Sequence, residues 1–408
     1  MQNYLNSMAW QNKCEDSSLH VLLIIVKRRH IFFFPPTIRL KMCNFEAPLI
    51  ALNAVLTKNV NRRMCFYAPY GSIRQQGHNA HNHPQTTKIP MRKKLRVSLI
   101  TAVTIVLLAL VGGSMYMIEY ALRRPHPINV SYKNRFSRVI NDNPEIKPWI
   151  DSLTQGNLIH DTLVAMQNGE RQHAIFVYAP RPTRKTAIVL HGYHDSHAGM
   201  MQIAHIYAGM GYNILLPDHH AHGWSEGEMI QMGWKERHDV LRWMAIADSL
   251  FRNSTGHSEQ VVHGISMGAA LTMCVAGEDT PGYVKCFVED CGYTCAWDEF
   301  KNELKTQFGL PPFPLLYTAS ALNKLLYGWS FGEASPLTQV AKCRKPMLFI
   351  HGDRDTYVRT DMVYRLYKSK PQPKQLWIAK GSKHAESYRD HRQAYTEIVK
   401  KFVSRYIP

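Results

Sequence analysis

The sequence predicts an α/β fold, with a mostly parallel central sheet and helices on both faces. Three observations carry this. From residue 158 onward, short runs rich in Val, Ile and Leu alternate with segments of helical length. Gly264-Ile265-Ser266-Met267-Gly268 lies between a strand-type run and a helix-type run. An acidic loop and then a His-bearing loop follow it, each after a further strand candidate.

In chain order, residues 162–167 and 171–177 flank Asn168-Gly169, a two-residue hairpin signal. Residues 186–190 read as a buried strand, 198–210 as helical and 212–216 as the next strand. Residues 234–251 read as a helix and 260–264 as the strand before Ser266. Further strands are expected at 284–288, 346–350 and 374–379, and a last helix near 390–405. Some 60 residues separate the 284–288 and 346–350 strands, too many for a plain crossover. A small inserted cap is therefore expected at about 292–340.

Charge is unevenly placed. The net +18 resolves into a surplus of 8 in residues 1–90, 5 in 91–124 and only 5 in 125–408. No basic stripe with interleaved aromatics occurs in 125–408, so nucleic acid is not an expected partner. The eight cysteines include no C-x-x-C pair, which argues against a zinc site. Cys291 and Cys295 are near enough in sequence to bridge, but small buried apolar side chains are the preferred reading.

Residues 1–90 do not read as a folded domain, and 71–90 are polar and rich in His and Gln. Met91, followed by Arg92, Lys93, Lys94 and Arg96, begins a basic segment ahead of an apolar run over 97–118. This has the form of a secretory n-region and h-region, so Met91 is read as the natural start, the alternative being that 1–90 is a genuine cytoplasmic extension. The 22-residue run is long enough to cross a bilayer. An uncleaved anchor is preferred to cleavage near Gly112-Gly113-Ser114. The flanking charges keep the N-terminus cytoplasmic and the rest extracytoplasmic. The alternative is secretion after cleavage. Residues 125–157 are expected to be a linker and 158–408 the main domain.

A serine hydroxyl is a weak nucleophile until a base takes its proton. An imidazole supplies the base, and a carboxylate fixes its tautomer. Ser266 on a sharp strand-to-helix turn is positioned for this role. Downstream, His351-Gly352-Asp353-Arg354-Asp355 follows one strand and Lys383-His384-Ala385 the next. The order Ser, Asp, His is kept. Met267 N–H, directly after the serine, is one expected oxyanion donor.

Over 158–407 the chain resembles the α/β-hydrolase superfamily. Within it the chain is most similar to the serine aminopeptidase S33-like group and its membrane-anchored bacterial members. The matching motifs are Leu190-His191-Gly192-Tyr193, the stretch from Asp218 to Gly227, Gly264 to Gly268, and His351 to Asp355. The resemblance implies the α/β-hydrolase fold, with Ser266 as nucleophile, Asp355 as acid and His384 as base. Asp353 is the runner-up acid and Asp290 a distant third. The resemblance also implies Tyr193 N–H as the second oxyanion donor. His220-Ala221-His222-Gly223 departs from the family's usual Arg-Gly-His-Gly. The cluster of His219, His220 and His222 is read as a structural loop rather than a metal site, and His191 and His194 as scaffold.

The expected activity is hydrolysis of an ester or related acyl bond through an acyl-enzyme. The alternatives are a peptidase, an acyltransferase, or a binding protein that kept only the fold. Cap residues such as Trp297, Phe300, Phe308, Phe313, Tyr317, Leu325, Trp329 and Phe331 are expected mostly to pack on the core. A minority would line an apolar acyl pocket. The expected partners are an apolar acyl substrate and, through 97–118, a membrane. No glycine-rich phosphate loop is present, and no cofactor is expected.

Overall fold

A computed structural model describes residues 91–124 and 134–408. The expectations stated for residues 1–90 lie outside the described residues. The strands are β1 (His160–Ala165), β2 (Arg171–Val177), β3 (Lys185–Leu190), β4 (Asn213–Pro217), β5 (Glu259–Ile265), β6 (Val284–Asp290), β7 (Met347–Gly352) and β8 (Lys374–Ala379). They form one sheet in the order β1-β2-β4-β3-β5-β6-β7-β8. β2 runs antiparallel to both neighbours, and every pairing from β4 to β8 is parallel. The expected strands are all present. β4 and β7 are buried along their whole length, which is why they read as unbroken apolar runs rather than alternating ones.

The helices, in chain order, are α1 (Met91–Leu122), α2 (Ser137–Asp142), α3 (Lys147–Gln155), α4 (Met201–Ala208), α5 (Glu236–Phe251) and α6 (Met267–Ala276). They continue with α7 (Ala296–Phe308), α8 (Leu315–Tyr327), α9 (Pro336–Val340), α10 (Asp361–Ser369), α11 (Ser387–Asp390) and α12 (Arg392–Val403). Alternation along the strands divides the core in two. Ile175, Val189, Leu348 and Ile350 face α2, α3, α4 and α12. Ala174, Ile188, Met347 and Phe349 face α5, α6 and α10.

Two expected boundaries change. The linker expected at 125–157 is, from residue 134 on, a folded part of the domain: Val139, Ile146, Ile150 and Leu153 are buried in the first core. α2, at six residues, is too short to show a period. The expected anchor run does not end clear of the domain either. Ile118 and Leu122 are buried in a third apolar cluster with Leu316, Ala319 and Trp329 of the cap region and Met267 of α6. Arg124 finishes the attachment. Its guanidinium donates to Ser225 O and Gly223 O, both at 2.7 Å, and its N–H to Glu228 O at 2.7 Å.

The inserted cap is present as α7, α8 and α9 between β6 and β7. Leu316, Trp329 and Phe331 are buried as expected. Phe308, Phe313, Tyr317 and Leu325 instead stand exposed. α8 turns Leu316, Ala319, Ser320 and Asn323 inward, which leaves Tyr317 and Leu325 outward. Phe308 ends α7, and Phe313 lies on the loop between the two helices.

Candidate active site

The site sits at the C-terminal edge of the parallel strands, where such a sheet leaves a crevice. Ser266 joins β5 to α6 with φ 57° and ψ −120°, a conformation costing a non-glycine residue about 1–3 kcal/mol. The neighbouring glycines make that turn possible. A Cβ on Gly264 would lie 2.0 Å from Gly268 O, and one on Gly268 would lie 2.2 Å from Leu190 O. Ser266 N–H donates to Asp290 O at 2.8 Å, tying the turn to β6.

The three residues expected from sequence come together. Ser266 Oγ is 2.8 Å from His384 Nε2, and His384 Nδ1 is 2.7 Å from Asp355 Oδ2. Asp355 Oδ1 accepts the N–H groups of Tyr357 and Val358, each at 3.0 Å. Burial disfavours the Asp355 carboxylate, but hydrogen bonds from His351 and His384 outweigh it and hold its pKa below the usual value. The other two acids are turned elsewhere. Asp353 accepts Gly381 N–H at 2.6 Å. Asp290 is buried and held at a pKa of about 6, chiefly by burial.

The Gly192-Tyr193 turn passes beside the nucleophile: a Cβ on Gly192 would lie 3.4 Å from Ser266 Cβ. The Tyr193 hydroxyl points away from the serine and donates to Ala121 O, in the last turn of α1, at 2.6 Å. Met267 opens α6, as a residue following an elbow serine does. Its side chain is buried in the third cluster, so the cap packs on the residue beside the nucleophile.

His191 takes a defined tautomer. Its Nε2 accepts His219 N–H at 3.0 Å, so its proton is on Nδ1, facing Gly192 O at 2.7 Å. Burial lowers its pKa to about 3, which keeps it neutral. His219, His220 and His222 do not converge. They face His191 O, Glu170 and His220 O respectively. A different group gathers around Asp218, where His173, His197 and Asp218 each bring a possible ligand atom within 4.8 Å of the others. Its oxygens are already engaged by His173, His197 and Trp224 N–H. Burial opposes ionisation of Asp218, yet the two imidazoles hold its pKa well below the usual value. This arrangement pins the 218–227 loop.

Two neighbours of the triad were not singled out from sequence. His351 Nε2 lies 2.9 Å from Val358 O and 3.4 Å from Asp355 Oδ2. The signal available was its place four residues before Asp355. Cys291 offers a sulfur within 4.8 Å of ligand atoms on both Asp355 and His384. Burial, then the charges of Asp290 and Asp355, push its pKa well up, so it stays a neutral thiol. Cys291 and Cys295 are both free.

A strained serine on a strand-to-helix turn, hydrogen-bonded through histidine to a buried aspartate, has the architecture of a serine hydrolase of the α/β-hydrolase fold. Comparison with known proteins gives the family. The prolyl oligopeptidase family matches residues 198–408, and the chain belongs to it. The protein is a serine hydrolase. An uncharacterised Bacillus subtilis (strain 168) protein, YqkD, is 34% identical over 226 residues, 55% of this chain and 73% of that protein. The Pyrococcus furiosus esterase Pf2001 shares the fold with a TM-score of 0.51 at 22% identity, over 63% of this chain and 94% of that one. An acylaminoacyl peptidase of Pyrococcus horikoshii has a TM-score of 0.47 at 15% identity, over 63% of this chain and 43% of that one.

Proposed function

We propose that the protein cleaves an ester or related acyl bond through an acyl-enzyme on Ser266, with His384 as base and Asp355 as acid. The observation that carries this is the continuous hydrogen-bonded line of 2.8 Å and 2.7 Å from Ser266 Oγ through His384 to Asp355. Ser266 Oγ attacks the carbonyl as its proton passes to His384 Nε2. The tetrahedral oxyanion accepts the N–H groups of Met267 and Tyr193. The imidazolium, oriented by Asp355, then protonates the leaving group. Water attacks the acyl-enzyme with the same base and releases the acid. Membership of a peptidase family supports a second reading, in which the bond is a peptide amide. The narrower likeness to the S33-like group rests on the shared motifs alone.

We also propose that α1 anchors the protein in a membrane, with the hydrolase domain extracytoplasmic. α1 is long and apolar enough to cross a bilayer, with a mean hydropathy of 2.3 in its most apolar window. Its basic N-terminal end supports the orientation.

A fluorophosphonate probe tests the nucleophile. Labelling is expected in the parent chain and lost in Ser266→Ala. Equal labelling of both would remove Ser266 from the role. Rates on p-nitrophenyl esters of graded chain length, beside an aminoacyl anilide, decide between ester and amide. Preference for the anilide would reverse the order proposed here.

A further inference from the structure

We infer that the apolar tip of the cap, residues 308–317 with Leu325, is seated in the surface of the same bilayer that α1 crosses. This rests on the proposal that α1 is a membrane anchor. It adds a surface of the folded domain as a second membrane contact.

The free part of α1 is short of the layer it crosses. Arg92, Lys93, Lys94 and Arg96 set one edge of the apolar layer just before Val97. The helix stands clear of the domain only as far as Gly112. A Cβ on Gly112 would meet nothing within 4 Å, whereas one on Gly113 would lie 3.5 Å from Leu315 Cδ1. Ser114 is buried, and its hydroxyl donates to Leu315 O at 3.3 Å. Residues 97–112 span about 24 Å at 1.5 Å per residue. The hydrocarbon layer is about 30 Å thick. The missing ~6 Å has to come from residues 113–118, the part of α1 that α8 covers. Tilting the helix enlarges the shortfall. The domain surface around that part of α1 is therefore drawn into the layer.

That surface is apolar. Residues 308–316 read Phe-Gly-Leu-Pro-Pro-Phe-Pro-Leu-Leu, with no polar side chain. Phe313 is 70% exposed, Tyr317 55% and Leu325 79%. An apolar patch of this kind on a water-facing domain marks an interaction surface. An interfacial segment buries its apolar face about 5–10 Å deep, which matches the shortfall.

The tip is also fixed to α1. The Phe308 ring packs edge-on against Tyr120 of α1 at 5.5 Å, and Tyr120 OH donates to Gln307 at 3.1 Å. The tip therefore cannot keep its distance from the layer that α1 enters. Ala121, which holds the Tyr193 hydroxyl, lies three residues past the apolar run. That puts the Tyr193 hydroxyl about one helical turn, ~5 Å, beyond the end of the run.

Photocrosslinking tests this in the full chain, reconstituted in phosphatidylcholine vesicles. p-Benzoylphenylalanine replaces Val103, Phe313 or Asn253 in turn. All three are exposed, and Asn253 lies near the opposite end of the sheet from Ser266. Mass spectrometry after irradiation should find lipid adducts at 103 and 313, in several-fold excess over 253. Adducts at 103 without adducts at 313 would overturn the inference and leave the anchor standing. No adducts at 103 would remove the anchor and this inference with it. Equal yields at 313 and 253 would mean non-specific adsorption, and would also overturn it.

Discussion

Among the described residues, two clusters of aspartate and histidine, one at Asp355 and one at Asp218, share their chemistry but differ in their surroundings. In one, Asp355 holds His384 at 2.7 Å, and the far nitrogen of that ring meets a serine hydroxyl. In the other, Asp218 holds His173 at 2.8 Å and His197 at 2.9 Å. Both aspartates are buried and both have lowered pKa values. The His384 side chain keeps 22% of its exposure, whereas those of His173 and His197 keep 6% and 3%. Around Asp218 the rings hold a loop: His173 Nε2 turns to Asp161 at 3.0 Å, and His197 Nε2 is buried without a hydrogen-bond partner. At Asp355 they lead outward to a nucleophile. An aspartate–histidine pair becomes a site only where its imidazole keeps one nitrogen for a group at the surface.

The largest effect should come from Asp355→Asn. It keeps the shape but favours the wrong imidazole tautomer, so turnover on a p-nitrophenyl ester should fall about 10⁴-fold. Thermal unfolding should stay near that of the parent. A large loss of melting temperature would make Asp355 scaffold and collapse the contrast.

Asp218→Asn should do the reverse. It removes the buried carboxylate that His173 and His197 share, at a cost of about 3–5 kcal/mol in stability. Turnover per folded molecule, counted by fluorophosphonate titration, should stay within tenfold of the parent. A catalytic loss with unchanged stability would move the Asp218 cluster into the reaction.

His263 extends the comparison to a buried imidazole with no carboxylate, held between Tyr207 OH and Tyr395 OH at 3.0 Å each. Burial lowers its pKa to about 3, against about 6.5 in the unfolded chain. Between those values the unfolded chain binds a proton that the folded chain refuses. Stability from this group is therefore full above pH 6.5 and falls as pH drops. His263→Gln lacks this dependence. The stability difference between parent and variant should shift by about 3 kcal/mol against the parent from pH 7 to pH 4. Denaturant unfolding at the two pH values measures it, and a constant difference would mean that His263 titrates normally.

The smallest effect belongs to Tyr193→Phe. Its hydroxyl meets Ala121 O rather than the reacting centre, so kcat/KM should fall by less than about tenfold, near the ~1 kcal/mol of one hydrogen bond. A loss of a hundredfold or more would place the hydroxyl itself in the oxyanion site.

Much of this was legible in the sequence. The strands were, because their apolar runs are bounded by turn residues. The elbow was, because G-x-S-x-G lies between a strand-type and a helix-type run, and Gly264 is required by Gly268 O only four residues on. Asp355 could be preferred over Asp353 only through resemblance, since two aspartates two residues apart differ in direction and not in composition. α2 was not, because its six residues are too few to show a period. The exposed aromatics of the cap were misread as core, since composition does not say which face of α8 meets α1.

The sequence alone determined the elements, the order Ser, Asp, His and the apolar length of 97–118, because these depend on local spacing along the chain. The tertiary structure decided which aspartate reaches His384, that residues 134–156 belong to the core, and that α1 ends inside the hydrolase domain, with Ala121 on Tyr193. These are contacts between residues tens to hundreds of positions apart, and only the packed sheet and its cap bring such residues within hydrogen-bonding distance.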